Sequence, residues 1–284
     1  MDRAAYECAV SRVRTHIRDG AVYQANLCRV LGAATSADEP DARALGHLLA
    51  AGNPAPHAGG LHVPHGGEVP PAWVVSASPE LFLRLDGDVL TSGPIKGTAT
   101  SAALLSDKDR AENVMITDLV RNDLQRVCAP GSVEVTRLLG VEEHPGLVHL
   151  VSTVQGRLAA EVLAAHDLWG RLLTAAYPPG SVTGAPKSSA LDVIAALEPE
   201  SRGPYCGAFG WVEVDADGRT RAELAVAIRT FWWRRAGDAG RLRFGTGAGI
   251  TWGSEPAAEW FETELKAARL VALASGTTVR DWPV

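Results

Sequence analysis

Apolar positions recur with two different periods along this chain. Over residues 3–18, Val10, Val13 and Ile17 return every three or four positions, the spacing of one helix face, and Gly20 supplies a stop. Residues 21–30 alternate instead, which predicts a strand. A short helix is predicted over 40–51 and a strand over 72–78. Residues 81–85 and 89–91 form a hairpin around Asp86-Gly87, a strong turn pair. Residues 107–128 predict a long helix that turns Ile116, Leu119, Val120, Leu124 and Val127 to a core. Strands are expected at 132–139 and 147–156, and helices at 164–175 and 186–197. Three more strands follow at 206–214, 221–233 and 242–247, then a closing helix at 255–274. Strands joined by hairpins, with helices in longer crossovers, predict an α+β architecture with large, mostly antiparallel sheets.

Composition adds limits. The 284 residues are 46% hydrophobic and 21% charged, an ordinary globular balance that buries a core without staples. A net charge of −6 argues against nucleic-acid binding, which usually needs a basic stripe. The opening residues MDRAAYECAV lack a secretion pattern, and no apolar run approaches the ~20 residues that span a bilayer. The expectation is a soluble, cytoplasmic protein with no membrane contact. Cys8, Cys28, Cys128 and Cys206 show no C-x-x-C spacing, and read as small buried residues in a reducing compartment. Nothing in the composition marks a boundary, so residues 1–284 are read as a single catalytic domain. Residues 53–70, rich in Gly, Pro and His, read as a long loop. His57, His62 and His65 within it fit no metal-binding spacing, and a surface segment is the better reading.

Candidate chemistry is concentrated in a few places. The run Gly180-Ser-Val-Thr-Gly-Ala-Pro-Lys-Ser resembles a P-loop but fails its spacing, since Pro186 precedes Lys187. Gly180 and Gly184 permit a tight loop, and Thr183 and Pro186 suit a helix entrance that either favours an anion or is simply a cap. Asp109 and Glu112 lie three apart, as do Glu259 and Glu262, with Lys266 four further on. Two helices would each offer a pair of hard oxygen ligands, a set that suits Mg2+; a solvated, salt-bridged face is the alternative for either helix alone. Lys96, in Gly93-Pro-Ile-Lys-Gly-Thr98, falls outside any helical pattern, and Gly97 permits close approach of a ligand. Such a lysine becomes a nucleophile if its surroundings favour the neutral amine.

Together these stretches resemble the chorismate-utilising family, which includes anthranilate synthase and aminodeoxychorismate synthase components I, isochorismate synthases and salicylate synthases. The matching runs are YQANL, SASPELFLR, GPIKGT, DRAENVMITDLVRNDL, GSVEV, VHLVSTVQG, PPGSVTGAPK, RGPYCGAFGW, AIRT and GTGAGITWGSEPAAEWFETELKA, in order through nearly the whole chain. The resemblance implies two large antiparallel sheets packed as a sandwich with flanking helices. It implies Mg2+ on Glu112 and Glu262, with Asp109 and Glu259 supporting its water shell. Gln24, Thr183, Tyr205, Arg229, Gly247, Gly249 and Lys266 would hold chorismate, Arg229 being suited to a bidentate grip on a carboxylate. Glu80 would protonate the departing hydroxyl, a poor leaving group otherwise. His149 would lie near the substrate.

Two positions divide the family. Water-using members resemble one another in carrying a lysine base where this chain has Gln24, and glutamine cannot act as that base. Anthranilate synthases typically have Ala where Lys96 stands; lysine there resembles the aminodeoxychorismate synthases, in which it is thought to attack the ring. The expected reaction is therefore Mg-dependent amination of chorismate to 4-amino-4-deoxychorismate, for p-aminobenzoate and folate or a specialised metabolite. A glutamine amidotransferase subunit would supply ammonia. The alternatives are an anthranilate or 2-amino-2-deoxyisochorismate synthase component I, or a non-catalytic chorismate-binding subunit. Ala99-Thr100-Ser101 departs from the family's Arg-Pro-Arg, and Gly93 replaces a frequent arginine. Family members commonly carry about 150 further residues before the first helix. Without that region, feedback by tryptophan is not expected.

Overall fold

The computed structural model of the chain describes residues 1–36, 38–99, 101–144 and 147–277. The elements run α1 (Arg3–Arg18), β1 (Gln24–Thr35), α2 (Ala42–Gly52), β2 (His57–Val63), β3 (Ala72–Ser78), β4 (Leu81–Asp86), β5 (Val89–Gly93) and β6 (Ile95–Ala99). Then come α3 (Asp107–Gln125), β7 (Glu134–His144), β8 (Leu147–Arg157), α4 (Ala160–Leu163), α5 (Leu168–Ala176), the two-residue β9 (Gly184–Ala185) and α6 (Lys187–Leu197). The chain ends with β10 (Ala208–Val214), β11 (Thr220–Val226), β12 (Thr230–Ala236), β13 (Ala239–Ile250) and α7 (Pro256–Ser275). The α+β class with two large antiparallel sheets is what the structure shows. The chain divides into two compact units, Met1–Pro79 with Pro186–Gly207 and Ala227–Val284, and Glu80–Ala185 with Ala208–Val226.

In the first unit the strands run β2-β3-β12-β13-β1, all antiparallel. The unbroken register Ala25↔Ile250 through Thr35↔Gly240 fixes which side chains share a face. One face carries Ala25, Leu27, Ala248 and Ile250, packed under Tyr6, Val10 and Val13 of α1 and Val193 and Leu197 of α6. Phe231, Trp233 and Phe244 continue the core against Leu45, Leu49, Ala267 and Leu270 of α2 and α7. By alternation, Gln24, Asn26 and Cys28 share the other face with Gly245, Gly247 and Gly249.

In the second unit the order is β10-β11-β4-β5-β8-β6, with β7 also paired to β8. Helix α3 lies against β8, β6 and β7. Ser106 caps its start, accepting from Asp109 N while the Asp109 carboxylate accepts from Ser106 N at 2.9 Å. Ile116, Val120, Leu124 and Val127 are buried, as the period of the sequence predicts.

Three expectations change. Residues 57–63 are strand β2 rather than loop, because all seven pair with β3. Pairing overrides the poor strand propensity of Gly59 and Gly60. The strand expected over 221–233 is two strands, β11 and β12, each paired in a different sheet. Between them Arg229 takes φ +52, outside any strand conformation. The helix expected at 164–175 is α5, which starts only at Leu168; the short α4 ends at Leu163, before the expected span. No helix among the described residues is long and apolar enough to cross a membrane.

Candidate functional site

The predicted residues fall into two groups, one per unit. In the second unit, Glu80 immediately precedes β4 and is 3% exposed. Its carbonyl accepts from Val226 N at 3.0 Å, and its Oε1 accepts from Ile95 N at 3.3 Å. A carboxylate is thereby tied to the backbone immediately before Lys96. Lys96 sits in β6, half-buried, at a break where the β6–β8 ladder shifts register between Ile95 and Thr98. Gly97 explains the break: its φ is +91, and a Cβ there would stand 2.9 Å from Asp109 Cβ and 3.1 Å from Leu150 Cδ1. Only glycine lets α3 approach this closely.

Asn113 locks that approach. It is fully buried, and its Nδ2 donates to Lys96 O at 3.3 Å and Leu150 O at 2.9 Å. Its Oδ1 accepts from Ser152 Oγ. Glu112, one residue earlier, is mostly buried, with Lys108 Nζ 3.7 Å away. His149 is buried on β8, opposite Glu142 of β7 and Thr98 of β6. The second unit thus carries Glu80 just before β4, Lys96 on β6, Asp109 and Glu112 on α3, and His149 on β8. Thr183, also buried, is spent on the local turn, donating to Pro179 O at 2.9 Å. Thr100 lies outside the described residues.

In the first unit, Gln24 begins β1 and is 1% exposed, yet neither its Nε2 nor its Oε1 has a hydrogen-bond partner. A buried primary amide with both ends unsatisfied costs several kcal/mol, on the order of 2–6, and so marks a place for a polar ligand. Tyr205 is buried with its ring on Gly245, where an added Cβ would come within 2.1 Å of ring carbon. Burial, the largest cause, holds its phenol well above the ordinary value, so it stays a neutral hydrogen-bonding group. Arg229 is held by its carbonyl, which accepts from Ala77 N at 3.1 Å. A positive φ at arginine stores about 1–3 kcal/mol, tolerated where surroundings fix it.

Lys266 donates to Gly247 O at 3.0 Å and pairs with Glu262 at 2.6 Å. Burial would lower its pKa, but the Glu262 and Glu259 carboxylates outweigh that and the opposing charge of Arg229, so it is raised. Glu259 is buried in the first turns of α7. Gly249 and Gly247 face Asn26 and Cys28 across the ladder. Arg29 is a different kind of cation. It is buried, donates to Thr263 Oγ1 at 2.9 Å, pairs with Glu264 and stacks over Trp260 at 3.9 Å. It serves the fold, while Arg229 and Lys266 cluster with Glu259 and Glu262.

Each unit therefore offers a carboxylate pair, Asp109 with Glu112 and Glu259 with Glu262. The donor set is all carboxylate oxygen, which fits Mg2+. Among the described residues no three His, Cys, Asp or Glu side chains stand at metal-binding distances. His62 and His65 both reach Glu39, at 2.7 and 3.3 Å, as exposed surface pairs. Asn113 is the residue that motif reading missed. Its neighbour Glu112 drew attention as a charge, whereas an amide on a helix carries no spacing signal.

A family model described as chorismate binding enzyme matches residues 1–272. The anthranilate synthase component 1 of Saccharolobus solfataricus is 35% identical over 99% of this chain and 63% of its own length. The aminodeoxychorismate synthase component 1 of Klebsiella aerogenes is 38% identical over 95% of this chain and 58% of its own. The crystal structure of anthranilate synthase component I from Streptococcus pneumoniae superposes with a TM-score of 0.78 at 30% identity, covering 95% of this chain and 58% of that one. The chain thus spans roughly three-fifths of the length of these relatives.

Proposed function

The chain belongs to the family of chorismate binding enzymes, and on that premise we propose that it replaces the C4 hydroxyl of chorismate with an amine, giving 4-amino-4-deoxychorismate. The observation that carries this reading is the bond from Ile95 N to Glu80 Oε1, which keeps a buried acid beside the segment bearing Lys96. An acid tied to the backbone next to an amine nucleophile brings together the two groups that displacement of a hydroxyl requires.

In this reading the Lys96 amine bonds to C2 of the ring. Both conjugated ring double bonds shift, from C1=C2 and C5=C6 to C1=C6 and C4=C5, and the C4–O bond breaks as Glu80 gives its proton to the departing oxygen, which leaves as water. Ammonia then bonds to C4, both double bonds return to their original positions, and the C2–N bond to Lys96 breaks with its electron pair returning to the lysine nitrogen. Arg229 and Lys266 neutralise substrate carboxylates, and Tyr205 and the Gln24 amide supply neutral hydrogen bonds. Mg2+ held by Glu112 and Glu262, with Asp109 and Glu259 behind its waters, would neutralise a ring carboxylate. Chorismate is an anion on a chain of net charge −6, so local cations must supply the attraction. Ammonia would come from a glutamine amidotransferase partner.

Lys96→Ala tests the reading. Amination at C4 should fall by at least about 100-fold, with the fold retained. An unchanged rate and product would remove Lys96 from the chemistry.

A second reading, formation of anthranilate or 2-amino-2-deoxyisochorismate, is favoured by the names of the Saccharolobus and Streptococcus relatives. Lys96 speaks against it. Incubation with chorismate, Mg2+ and ammonium separates the two by the carbon that receives nitrogen.

A further inference from the structure

The proposed amination uses none of the four cysteines, yet two of them meet. Cys28 of β1 and Cys206, which precedes β10, bring their sulfur atoms to 3.9 Å across 178 positions of sequence. Both belong to the first unit, and they are 2% and 5% exposed. The gap is about 2 Å longer than a disulfide bond, so a small movement closes it.

The surroundings form a built pocket for sulfur. Cys28 N donates to Glu198 Oε1 at 2.8 Å, and Asn26 Nδ2 donates to Cys28 Sγ at 3.1 Å. Gly247 lies directly opposite on β13, where a Cβ would stand 2.8 Å from that sulfur. Cys206 takes φ +66, an uncommon conformation for a residue with a Cβ, and its N donates to Ala227 O at 2.9 Å. Arg202 bonds Glu198 at 2.6 Å and Asn26 O at 2.8 Å, which sets a guanidinium beside the pair.

We propose that Cys28 and Cys206 are an oxidation site that closes to a reversible disulfide when a peroxide reaches them. The Cys206 thiolate attacks one peroxide oxygen. The O–O bond breaks, the departing oxygen takes a proton and leaves as water, and Cys206 becomes a sulfenic acid. Cys28 then attacks that sulfur. The S–S bond forms, the S–O bond breaks, and the proton of Cys28 leaves with the hydroxyl as a second water. Two thiols are oxidised and one hydrogen peroxide is reduced to two waters.

The two thiols are unequal in the sense this order needs. Burial would raise Cys206, but the hydrogen bond from Cys28 and the charge of Arg202 outweigh it and hold it below the ordinary thiol value. Burial first, then its role as donor to Cys206, holds Cys28 well above. The lower one attacks and the higher one resolves. Tyr205 adjoins Cys206 and packs on Gly245, so drawing the sulfurs together displaces a residue that the proposed function assigns to chorismate. That consequence rests on the proposed function; the cross-link does not.

The test uses the whole chain. Hydrogen peroxide is added and quenched, the protein is denatured and alkylated, and its mass and peptides are read. The expected result is a loss of about 2 Da before alkylation, a peptide joining Cys28 to Cys206, and reversal by dithiothreitol. Cys28→Ser and Cys206→Ser should each abolish that peptide. Recovery of both cysteines alkylated as in untreated protein would overturn the proposal. So would Cys206 sulfinic acid without the linked peptide, or a link made through Cys8 or Cys128. None of these readouts needs turnover, so they stand whether or not chorismate is the substrate. In a chorismate assay the cross-linked protein should lose about 100-fold in kcat/KM and regain it on reduction; full activity of the cross-linked form would refute the effect on Tyr205.

Discussion

Replacing Asn113 with alanine removes the pin between α3 and the Lys96 strand. The side chain is 1% exposed and serves four partners: the carbonyls of Lys96 and Leu150, and the hydroxyls of Ser152 and Thr117. Each buried polar group left unsatisfied costs about 1–3 kcal/mol, and entering water recovers part of that. The total for Asn113→Ala is about 3–5 kcal/mol, a large share of the ~5–15 kcal/mol that holds a domain together. In urea the unfolding midpoint should fall by about 2 M, taking a slope near 2 kcal/mol/M. Asn113→Asp keeps the shape and the acceptor for Ser152, but it sets anionic oxygen against two carbonyls. It should destabilise as much at neutral pH. The penalty should lessen as pH falls towards about 4 and the new carboxyl becomes a donor. Because Asn113 also fixes the backbone of Lys96, turnover of folded protein should drop by about 100-fold for a displacement near 1 Å. Both variants lying within about 0.5 kcal/mol of the parent, with turnover intact, would refute the reasoning.

Glu80→Gln keeps the acceptor for Ile95 N but has no proton to give, so kcat should fall by about 100- to 10,000-fold with KM little changed; equal loss through KM alone would contradict the acid role. Asp109→Asn or Glu259→Gln should weaken Mg2+ activation by about 10- to 100-fold in the half-saturating concentration, read by titrating the metal into chelator-treated enzyme. Burial pushes the Cys128 thiol up to about 11, so Cys8 should alkylate well before it near pH 9, and the folded chain should lose stability as pH climbs from about 9 towards about 11. For Lys266, raised above the ordinary lysine value, the sign is likewise loss with rising pH: its contribution is complete below the unfolded pKa and vanishes above the folded one. The difference in unfolding midpoint between parent and Lys266→Met, followed with pH, reads it.

Most of the chain's elements were legible because apolar period and turn chemistry agree with the final packing. Helix α1 matches its predicted bounds, and the hairpin about Asp86-Gly87 holds. Strand β2 was not legible: Gly59, Gly60 and neighbouring prolines mimic a loop, and only the β3 partner makes a strand of it. The break at Arg229 was hidden for the opposite reason, since residues 221–233 are uniformly strand-like and the positive φ is imposed by tertiary bonds such as Ala77 N to Arg229 O. In the candidate site, charged residues in motifs were readable one by one. The Cys28–Cys206 contact and the Asn113 network were not, because each depends on positions brought together by the sheet registers rather than on spacing.

The central claim is amination at C4 through Lys96 and Glu80. Its most direct measurement is the product formed from chorismate, Mg2+ and isotopically labelled ammonium, identified by mass and by the ring carbon that carries the labelled nitrogen. The account predicts 4-amino-4-deoxychorismate, with the label on C4. Label on C2, with anthranilate or its precursor as the sole aminated product, would contradict it.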